Sequence, residues 1–463
     1  MSNQRPNIVF IMSDDHASQA MSCYGSRINK TPNIDRIASE GMRFDHTYCT
    51  NAICTPSRAT ILTGLYNHAN GVRTLDDELP NTMTTFPKLM REDGYQTAMI
   101  GKWHLGHSES SNPAGFDFWS VVPGQGEYID PQFIEADGVK TYPGYVTDVI
   151  TDMSIDWLEQ RDRDKPFLLL CHHKAPHRPW VPNPKDQHLY DDIDIPEPET
   201  FYDDYATRSR AAREAKMRVD RDLTFTDLKA HPPEGLSELE LKRWNYQRYM
   251  KDYLRCIHSI DENVGRLLDY LDEQEVADNT IVVYTSDQGF FLGEHGWYDK
   301  RFMYEESLRM PFVVRYPNGI KPGTVCDAMA LNVDFAQTFL AYAGIDSPKE
   351  MQGVSLKPLL EGGRPEGWRT SMYYRYWMHL SEHNVCAHYG IRTEKHKLIY
   401  YYGEALGTTG STNESWEPEW ELFDLEKDPY ELNNVYCDPA YADTVLALKL
   451  ELARLQHETG DNP

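Results

Sequence analysis

The run Cys54-Thr55-Pro56-Ser57-Arg58 sets a soft nucleophile, a residue suited to the first turn of a helix and a permanent cation close together. A helix beginning there aims unpaired backbone N–H groups and the positive end of its dipole at Cys54. Arg58, one turn on, adds a full charge. Such a setting favours a thiolate, or an anion such as sulfate or phosphate beside it. The same spacing also describes a plain buried cysteine at a helix start, and taken alone the run allows both readings.

Other runs place reactive groups just beyond apolar segments. Ile8-Val9-Phe10-Ile11-Met12 reads as a strand buried on both faces of a parallel sheet, and it ends in Asp14-Asp15-His16. Ile281-Val282-Val283-Tyr284 repeats the pattern and delivers Ser286-Asp287-Gln288-Gly289, with Gly293-Glu294-His295-Gly296 and Lys300 beyond. Open α/β sheets bind ligands outside the carboxyl ends of their strands. Clustered carboxylate and carbonyl oxygens there suit a hard cation. A strand over Gln96–Ile100 leads to Gly101-Lys102-Trp103-His104-Leu105-Gly106. A strand over Phe167–Cys171 leads to His172-His173-Lys174-Ala175-Pro176-His177-Arg178-Pro179. Those histidines lack zinc-type helical spacing, and the prolines indicate a rigid extended loop. The polar loop Asn67–Arg73 follows the Cys54 run closely, making His68, Asn70 and Arg73 pocket candidates.

Together these runs resemble the type I sulfatases of the alkaline phosphatase superfamily. The resemblance rests on Cys54, Pro56, Ser57 and Arg58 with Leu62-Thr63-Gly64, on Gly-Lys-Trp-His-Leu-Gly from Gly101, and on the order of the strand ends. It implies that Cys54 is oxidised to formylglycine by a formylglycine-generating or anaerobic maturase enzyme, the aldehyde hydrate being the nucleophile. It implies one divalent cation, Ca²⁺ in preference to Mg²⁺, held by Asp14, Asp15, Asp287, Gln288 and the modified residue at Cys54. Family members carry Asn or His where Gln288 stands; a glutamine keeps the carbonyl oxygen. The implied mechanism has Asp287 take the hydrate proton, Arg58 hold the hydrate, and Lys102 and Lys300 clamp the sulfate. His177, with Lys300, protonates the leaving oxygen. His104 assists loss of the second geminal proton. The resemblance also makes His295 and, from a C-terminal part closing the cleft, His379, His383, His388 and Arg392 substrate-contact candidates, while His172 and His173 read as structural.

The fold implied is α/β: a large mixed, mostly parallel, alkaline-phosphatase-like sheet flanked by helices. A small C-terminal α+β subdomain with an antiparallel sheet follows. The catalytic domain is expected over residues 1–365 and the subdomain over 366–463. The pattern changes there to short strands at Tyr373–Arg375, Tyr389–Arg392 and Lys397–Tyr402, before a helix marked by Val445, Leu448, Leu452 and Leu455. Met42–Tyr48 reads as a second strand, Thr31-Pro32 as a helix cap, and Leu236–Glu273 as a long amphipathic helix. The acidic, proline-broken segment 183–240 reads as an insertion walling the pocket.

Lys plus Arg is 46 and Asp plus Glu is 72, a formal net charge of −26, which argues against nucleic-acid binding. An anionic substrate therefore needs a locally basic pocket. No apolar run reaches membrane-spanning length, so no membrane partner is expected. The N-terminus shows no apolar leader, giving a cytoplasmic protein as written, or a periplasmic or secreted one if a signal lies upstream. The eight cysteines are scattered and read as free thiols apart from Cys54. A homo-oligomer is allowed for.

The function expected is hydrolysis of sulfate monoesters, from a small-molecule or oligosaccharide sulfate ester. The run from Asp287 to Tyr316 looks like carbohydrate sulfatases of the N-acetylglucosamine-6-sulfatase and iduronate-2-sulfatase kind. The alternative is an arylsulfatase or a phosphonate monoester or phosphodiester hydrolase on the same core. A metal-binding protein without catalysis is a third reading. It requires Cys54 to stay unmodified or a catalytic group to be missing.

Overall fold

The computed structural model describes residues 5–462. Met1–Gln4, part of the segment in which no leader is seen, lie outside them. The strands of the large sheet are β1 (Asn7–Ser13), β2 (Met42–Phe44), β3 (Gln96–Lys102), β4 (Phe118–Val122), β5 (Gln132–Glu135), β6 (Gly138–Thr141), β7 (Phe167–His172), β8 (Thr280–Ser286), β9 (Phe312–Arg315) and β10 (Thr324–Cys326). They form one ten-stranded sheet in the order β10-β2-β9-β8-β1-β7-β3-β4-β5-β6. The inner block β8-β1-β7-β3-β4 is parallel. The β8–β9, β9–β2, β4–β5 and β5–β6 pairs are antiparallel.

The continuous apolar runs explain the inner block. Ile8, Val9, Phe10, Ile11 and Met12 are all 0% exposed, with neighbours on both faces. Each such side chain stabilises the fold by roughly 1.5–3 kcal/mol through burial. Register then sets which side chains meet beyond the sheet. Met12 pairs with His172, Ser13 with Ser286, and Gly101 with His172. Asp14, Asp287 and Lys102 therefore leave the sheet at one level. Gly101 makes this possible: at φ +105°, a Cβ there would stand 2.0 Å from the His172 carbonyl oxygen.

Met42–Tyr48 is not one strand. Met42–Phe44 joins the large sheet, while Thr47–Tyr48 pairs with Ala330–Leu331 in a separate two-stranded sheet. The edge hairpin β5–β6 has no apolar pattern to reveal it, since Gly138–Thr141 is exposed throughout.

Helices cover the sheet. The main ones are α1 (Pro32–Ser39), α2 (Cys54–Thr63), α3 (Val146–Gln160), α4 (Glu238–Glu273) and α5 (Phe335–Ala343). The N-terminus of α1 is not closed by the Thr31 side chain. Asp261, on α4, accepts from the backbone N–H groups of Asn33 and Ile34 at 3.1 and 2.9 Å. The cap comes from across the interface because the Thr31 hydroxyl lies 3.2 Å from Asp35 Oδ1 and acts within its own loop. Among the described residues no helix is long and apolar enough to cross a membrane.

A four-stranded antiparallel meander follows: β11 (Ser371–Tyr376), β12 (His388–Thr393), β13 (His396–Tyr401) and β14 (Glu419–Asp424), with α6 (Ala442–Thr459) packed on β11 and β12. This sheet braces the loops beside Cys54. Tyr374 Oη accepts from the Ala52 N–H at 3.1 Å and donates to the Arg301 carbonyl at 2.6 Å.

Candidate active site

Cys54 opens α2, whose ten residues are all buried. The helix is therefore hidden from any amphipathic signal, and its positive end sits inside the protein. It is tied to β8 by side chains: Ser57 Oγ donates to the Asp287 carbonyl, and Asn332 Nδ2 donates to Ser57 Oγ at 2.9 Å.

The carboxylates expected to cluster do so. Asp14, Asp15 and Asp287 are 0% exposed and offer oxygens within 4.8 Å of one another. Asp14 Oδ1 lies 3.3 Å from Cys54 Sγ. The Asp15 N–H donates to Asp287 Oδ1 at 3.2 Å, and Gln288 Nε2 donates to Asp15 Oδ1. That amide bond leaves Gln288 Oε1 buried with no hydrogen-bond partner. An orphaned carbonyl oxygen beside three buried carboxylates fits a hard, oxygen-preferring cation such as Ca²⁺. Burial raises Asp15 to about 6 against the pull of Lys300, and Asp287 pushes it the same way as burial.

Cations enclose the cluster. Arg58 Nε and Nη2 both lie 3.0 Å from Asp287 Oδ2, and Nη1 donates to the Lys102 carbonyl at 2.6 Å. Lys102 Nζ pairs with Asp14 and donates to Gln125. Lys300 Nζ donates to Asp15 Oδ2 at 2.7 Å. Burial works against the Lys300 charge, yet Asp15 and Asp299 outweigh it and raise its pKa.

The thiolate expected of Cys54 is not supported. Burial pushes the thiol up to about 12 against the pull of Lys300, and Asp287 and Asp15 each push harder than Arg58 pulls. Arg58 faces the carboxylates, so its charge is already matched.

The two histidines are poised differently, His177 by a backbone carbonyl and His104 by a side-chain hydroxyl. His177 Nδ1 donates to the Arg178 carbonyl at 2.6 Å, leaving Nε2 3.8 Å from Asp15 Oδ2. His104 Nδ1 lies 3.4 Å from Thr55 Oγ1. Burial holds both rings well below the ordinary histidine pKa, with Lys102 adding to the effect.

Cys54, His177 and Lys300 line a cavity of about 320 Å³. Larger cavities of about 630 and 800 Å³ lie elsewhere, but neither contains Cys54 or the acid cluster. The cleft walls carry charged side chains. Arg178 grips Asp227 through Nε and Nη2 at 3.0 and 2.6 Å, and Arg301 reaches Asp299 at 3.2 Å and Glu382 at 2.8 Å. The pocket is thus a set of matched ion pairs and not a bare basic patch. Thr224, Thr226 and Asp227 come from the acidic insertion, which forms a wall as expected. His383 also lines the cleft, its Nε2 3.2 Å from Asp299 Oδ2. Gln125, Thr224, Asp299 and Arg301 carry no motif of their own and escape sequence reasoning. The one available signal is that Asp299 and Arg301 flank Lys300.

Several candidates belong elsewhere. His295 is 0% exposed, its Nδ1 2.8 Å from Asp203 Oδ2, packed among Phe291, Trp297 and Tyr304. His388 is equally buried, stacked on Phe302 and Tyr374, with Nδ1 donating to the Cys386 carbonyl at 2.8 Å. His68 holds the end of α6 through the Thr459 carbonyl at 2.7 Å. His379 accepts from the Ala387 N–H, and Arg392 pairs with Glu305 in the cavity of about 630 Å³. Asn70 Nδ2 is engaged by the Leu65 carbonyl at 3.1 Å. Arg73 is exposed and outside the cleft lining. His295, His68 and Arg392 are claimed by partners distant in sequence, Asn70 and His379 by nearer backbone groups, and Arg73 is turned away by its loop.

Comparison with known proteins bears on this geometry. Residues 6–345 match the family model described as Sulfatase, and residues 293–458 match the C-terminal model of N-sulphoglucosamine sulphohydrolase. The chain is 45% identical, over 99% of its length and 88% of the other's, to an N-acetylglucosamine-6-O-sulfatase of Bacteroides thetaiotaomicron. It is 29% identical, over 95% of its length and 92% of the other's, to an arylsulfatase of Clostridium perfringens. A solved structure described as a complex with the substrate D-glucosamine-2-N,6-O-disulfate superposes with a TM-score of 0.93 at 45% identity, covering 99% of both chains. A family match over most of the chain and a relative this similar along nearly all of it lead to one conclusion: the chain belongs to the sulfatase family and is a sulfate ester hydrolase.

Proposed function

We propose that the protein removes 6-O-sulfate from a glucosamine-type sugar, with residue 54 acting as formylglycine. The observation that carries this reading is the convergence at Cys54. Asp14 stands 3.3 Å from its sulfur and gathers with Asp15, Asp287 and Gln288, while Cys54 itself lines a cleft with His177, Lys300 and ion-paired side chains. The 45% identical relative named for the 6-O-sulfate, and the similar structure holding a 6-O-sulfated glucosamine, support the choice of sugar. The cleft volume of about 320 Å³ suits a monosaccharide end group.

Asp14, Asp15, Asp287 and Gln288 are the residues to hold a Ca²⁺ ion, which when bound would polarise a sulfate oxygen and acidify a hydroxyl on residue 54. Formylglycine, made from Cys54 by a dedicated maturase, would supply two hydroxyls on one carbon, one to attack sulfur and one to drive release of sulfate. A serine or cysteine ester has no second hydroxyl for that exit.

The remaining chemistry belongs to side chains already in place. Arg58, locked between Asp287 and the Lys102 carbonyl, keeps a fixed cation against residue 54. Lys102 and Lys300 offer N–H donors to the sulfate oxygens. His177 Nε2, free because Nδ1 is committed to Arg178, is the nitrogen that meets the leaving oxygen. Burial keeps the resting ring neutral, so it hands over a proton only after Nε2 has taken one up from solvent, an uptake that the negative charge of a bound sulfate ester favours. His104 is placed by Thr55 to take a proton from residue 54. Lys300, kept charged by Asp15 and Asp299, backs His177 at the leaving group.

An aryl substrate is the second reading, favoured by the arylsulfatase relative. Ile53, Leu75 and Pro179 are the apolar residues in a lining that is otherwise mostly polar or charged side chains. The deciding experiment assays protein with formylglycine verified by mass spectrometry, with Ca²⁺ supplied. N-acetylglucosamine-6-sulfate and glucosamine-2-N,6-O-disulfate are set against nitrophenyl sulfate and an aryl phosphodiester. Preference for the sugars, with release of the 6-sulfate, is expected. Efficient aryl or phosphodiester turnover with inert sugars would overturn the assignment.

A further inference from the structure

A second cluster of ligand groups lies outside the cleft and shares no residue with it. His258 and Glu262 stand on successive turns of α4, and Asp186 reaches them from the turn that follows the His177 loop. We propose that Asp186, His258 and Glu262 form a binding site for a divalent transition-metal ion of the Zn²⁺ class.

The geometry is near closure. His258 Nε2 lies 3.9 Å from Asp186 Oδ1 and 3.7 Å from Glu262 Oε1. The three ligand atoms are all within 4.8 Å of one another. A tetrahedral ion with bonds of about 2.0–2.1 Å sets its donors about 3.3 Å apart. Closing to that value takes rotations of His258, whose side chain is 35% exposed, and of the two carboxylates.

Two further features point to a ligand. The Asp186 side chain is only 9% exposed; Oδ1 is the atom turned toward His258, and Oδ2 is buried without a hydrogen-bond partner among the described residues. An unpaired carboxylate oxygen inside a protein is costly, and a cation at this cluster would relieve it. Glu262, in turn, is oriented for ligation. Lys185 Nζ takes Glu262 Oε2 at 2.6 Å and leaves Oε1 facing His258, as an outer partner of a metal ligand does.

The donor set names the ion class. One imidazole nitrogen and two carboxylate oxygens suit Zn²⁺, whereas the all-oxygen set at Asp14, Asp15, Asp287 and Gln288 suits Ca²⁺. Three protein ligands leave a fourth position for water. Occupancy would clamp the segment running from His177 to Asp186 onto α4. That segment is already pinned further along, where Arg255 donates to the Leu189 carbonyl at 2.8 Å and pairs with Asp191 at 2.6 Å.

The test uses the Cys54→Ser protein saturated with Ca²⁺, with the exposed Cys437 also changed to Ser, so that neither these thiols nor the acid cluster of the cleft competes for zinc. Zn²⁺ is titrated calorimetrically and thermal unfolding is followed with and without it. One equivalent bound, a raised Tm, and at least tenfold weaker binding in both His258→Ala and Glu262→Gln are expected. His258 is partly exposed, so its variant should fold; circular dichroism checks this, and Asp186→Asn gives a third readout. Absence of a stoichiometric Zn²⁺ site, or binding that His258→Ala leaves unchanged, would overturn the proposal.

Discussion

Ser13 and Ser286 are register partners in the parallel β1–β8 pair, and each is followed at once by an aspartate. Asp14 and Asp287 therefore leave the sheet side by side, and the chain turns under both so that Asp15 and Gln288 complete the group. Three buried carboxylates this close repel one another unless cations intervene. Arg58, Lys102 and Lys300 supply part of that compensation.

Gln288 should be a cation ligand. Its Oε1 has no other partner, so Gln288→Ala removes a donor without breaking a hydrogen bond at that atom. Ca²⁺ affinity, measured by calorimetry on folded protein, should fall by roughly 10–100-fold. Gln288→Asn, which keeps a carbonyl, should fall less. Chelation should lower Tm as well as activity, because an ion bound only by the native state stabilises it. Calcium titrations indistinguishable between wild type and Gln288→Ala would remove Gln288 from the ligand set.

His177 should act on the leaving group. An alkyl oxygen of a sugar needs a proton to depart, while nitrophenolate does not. His177→Ala should cut kcat on a sugar 6-sulfate by about 10²–10⁴-fold and cut nitrophenyl sulfate hydrolysis far less. Lys300→Ala, which removes a donor to sulfate itself, should lower kcat on both substrates by roughly 10²–10³-fold. Equal losses on both substrates in His177→Ala would move that residue from proton transfer to substrate positioning.

The legible part of the protein is the part built from continuous apolar runs. β1, β3, β7 and β8 announce themselves because a strand buried on both faces has no polar alternation, and their carboxyl ends carry the motif residues. The start of the Cys54 helix is legible through Pro56, but its extent is not, since full burial leaves no periodic stripe. The errors share one cause. His295, His388 and His68 look like pocket residues because they are polar and near motifs. Each is claimed by a partner distant in sequence: Asp203 for His295, Phe302 and Tyr374 for His388, Thr459 for His68. Conversely, Arg301 and Asp227 enter the cleft through ion pairs that no local spacing encodes.

Cys54 should be inert until oxidised. Burial keeps its thiol protonated at ordinary pH, so the unmodified side chain offers no thiolate to attack sulfur. Turnover per molecule should scale linearly with the fraction of formylglycine seen in the mass spectrum of the peptide bearing residue 54. Cys54→Ala should fold and melt close to wild type, since among the described residues the sulfur makes one hydrogen bond, to Asp14 at 3.3 Å, and should show no turnover. Appreciable sulfate release by protein wholly lacking the aldehyde would refute the nucleophile assignment.

Asp261 should give stability a pH dependence outside the active site. It caps α1 from α4, and burial raises its pKa from 3.8 to about 6 despite the N–H groups of Ile34 and Asn33 that favour the charged form. The folded-state pKa lies above the unfolded one, so between these values the native state binds the extra proton. The associated stability is complete below about pH 4 and is lost as pH rises through about 6. Asp261→Asn keeps an acceptor for both N–H groups and cannot ionise. Its Nδ2 would face Asn33 Nδ2, 3.0 Å from Asp261 Oδ2, unless Asn33 flips. That offset is independent of pH. Urea unfolding from pH 4 to pH 7 should therefore show wild type losing on the order of 2–3 kcal/mol relative to Asp261→Asn. Parallel curves for the two proteins across that range would show that the carboxyl titrates alike in both states. Asp261→Ala, lacking any cap, should cost about 0.5–2 kcal/mol at every pH below 4 and leave kcat unchanged.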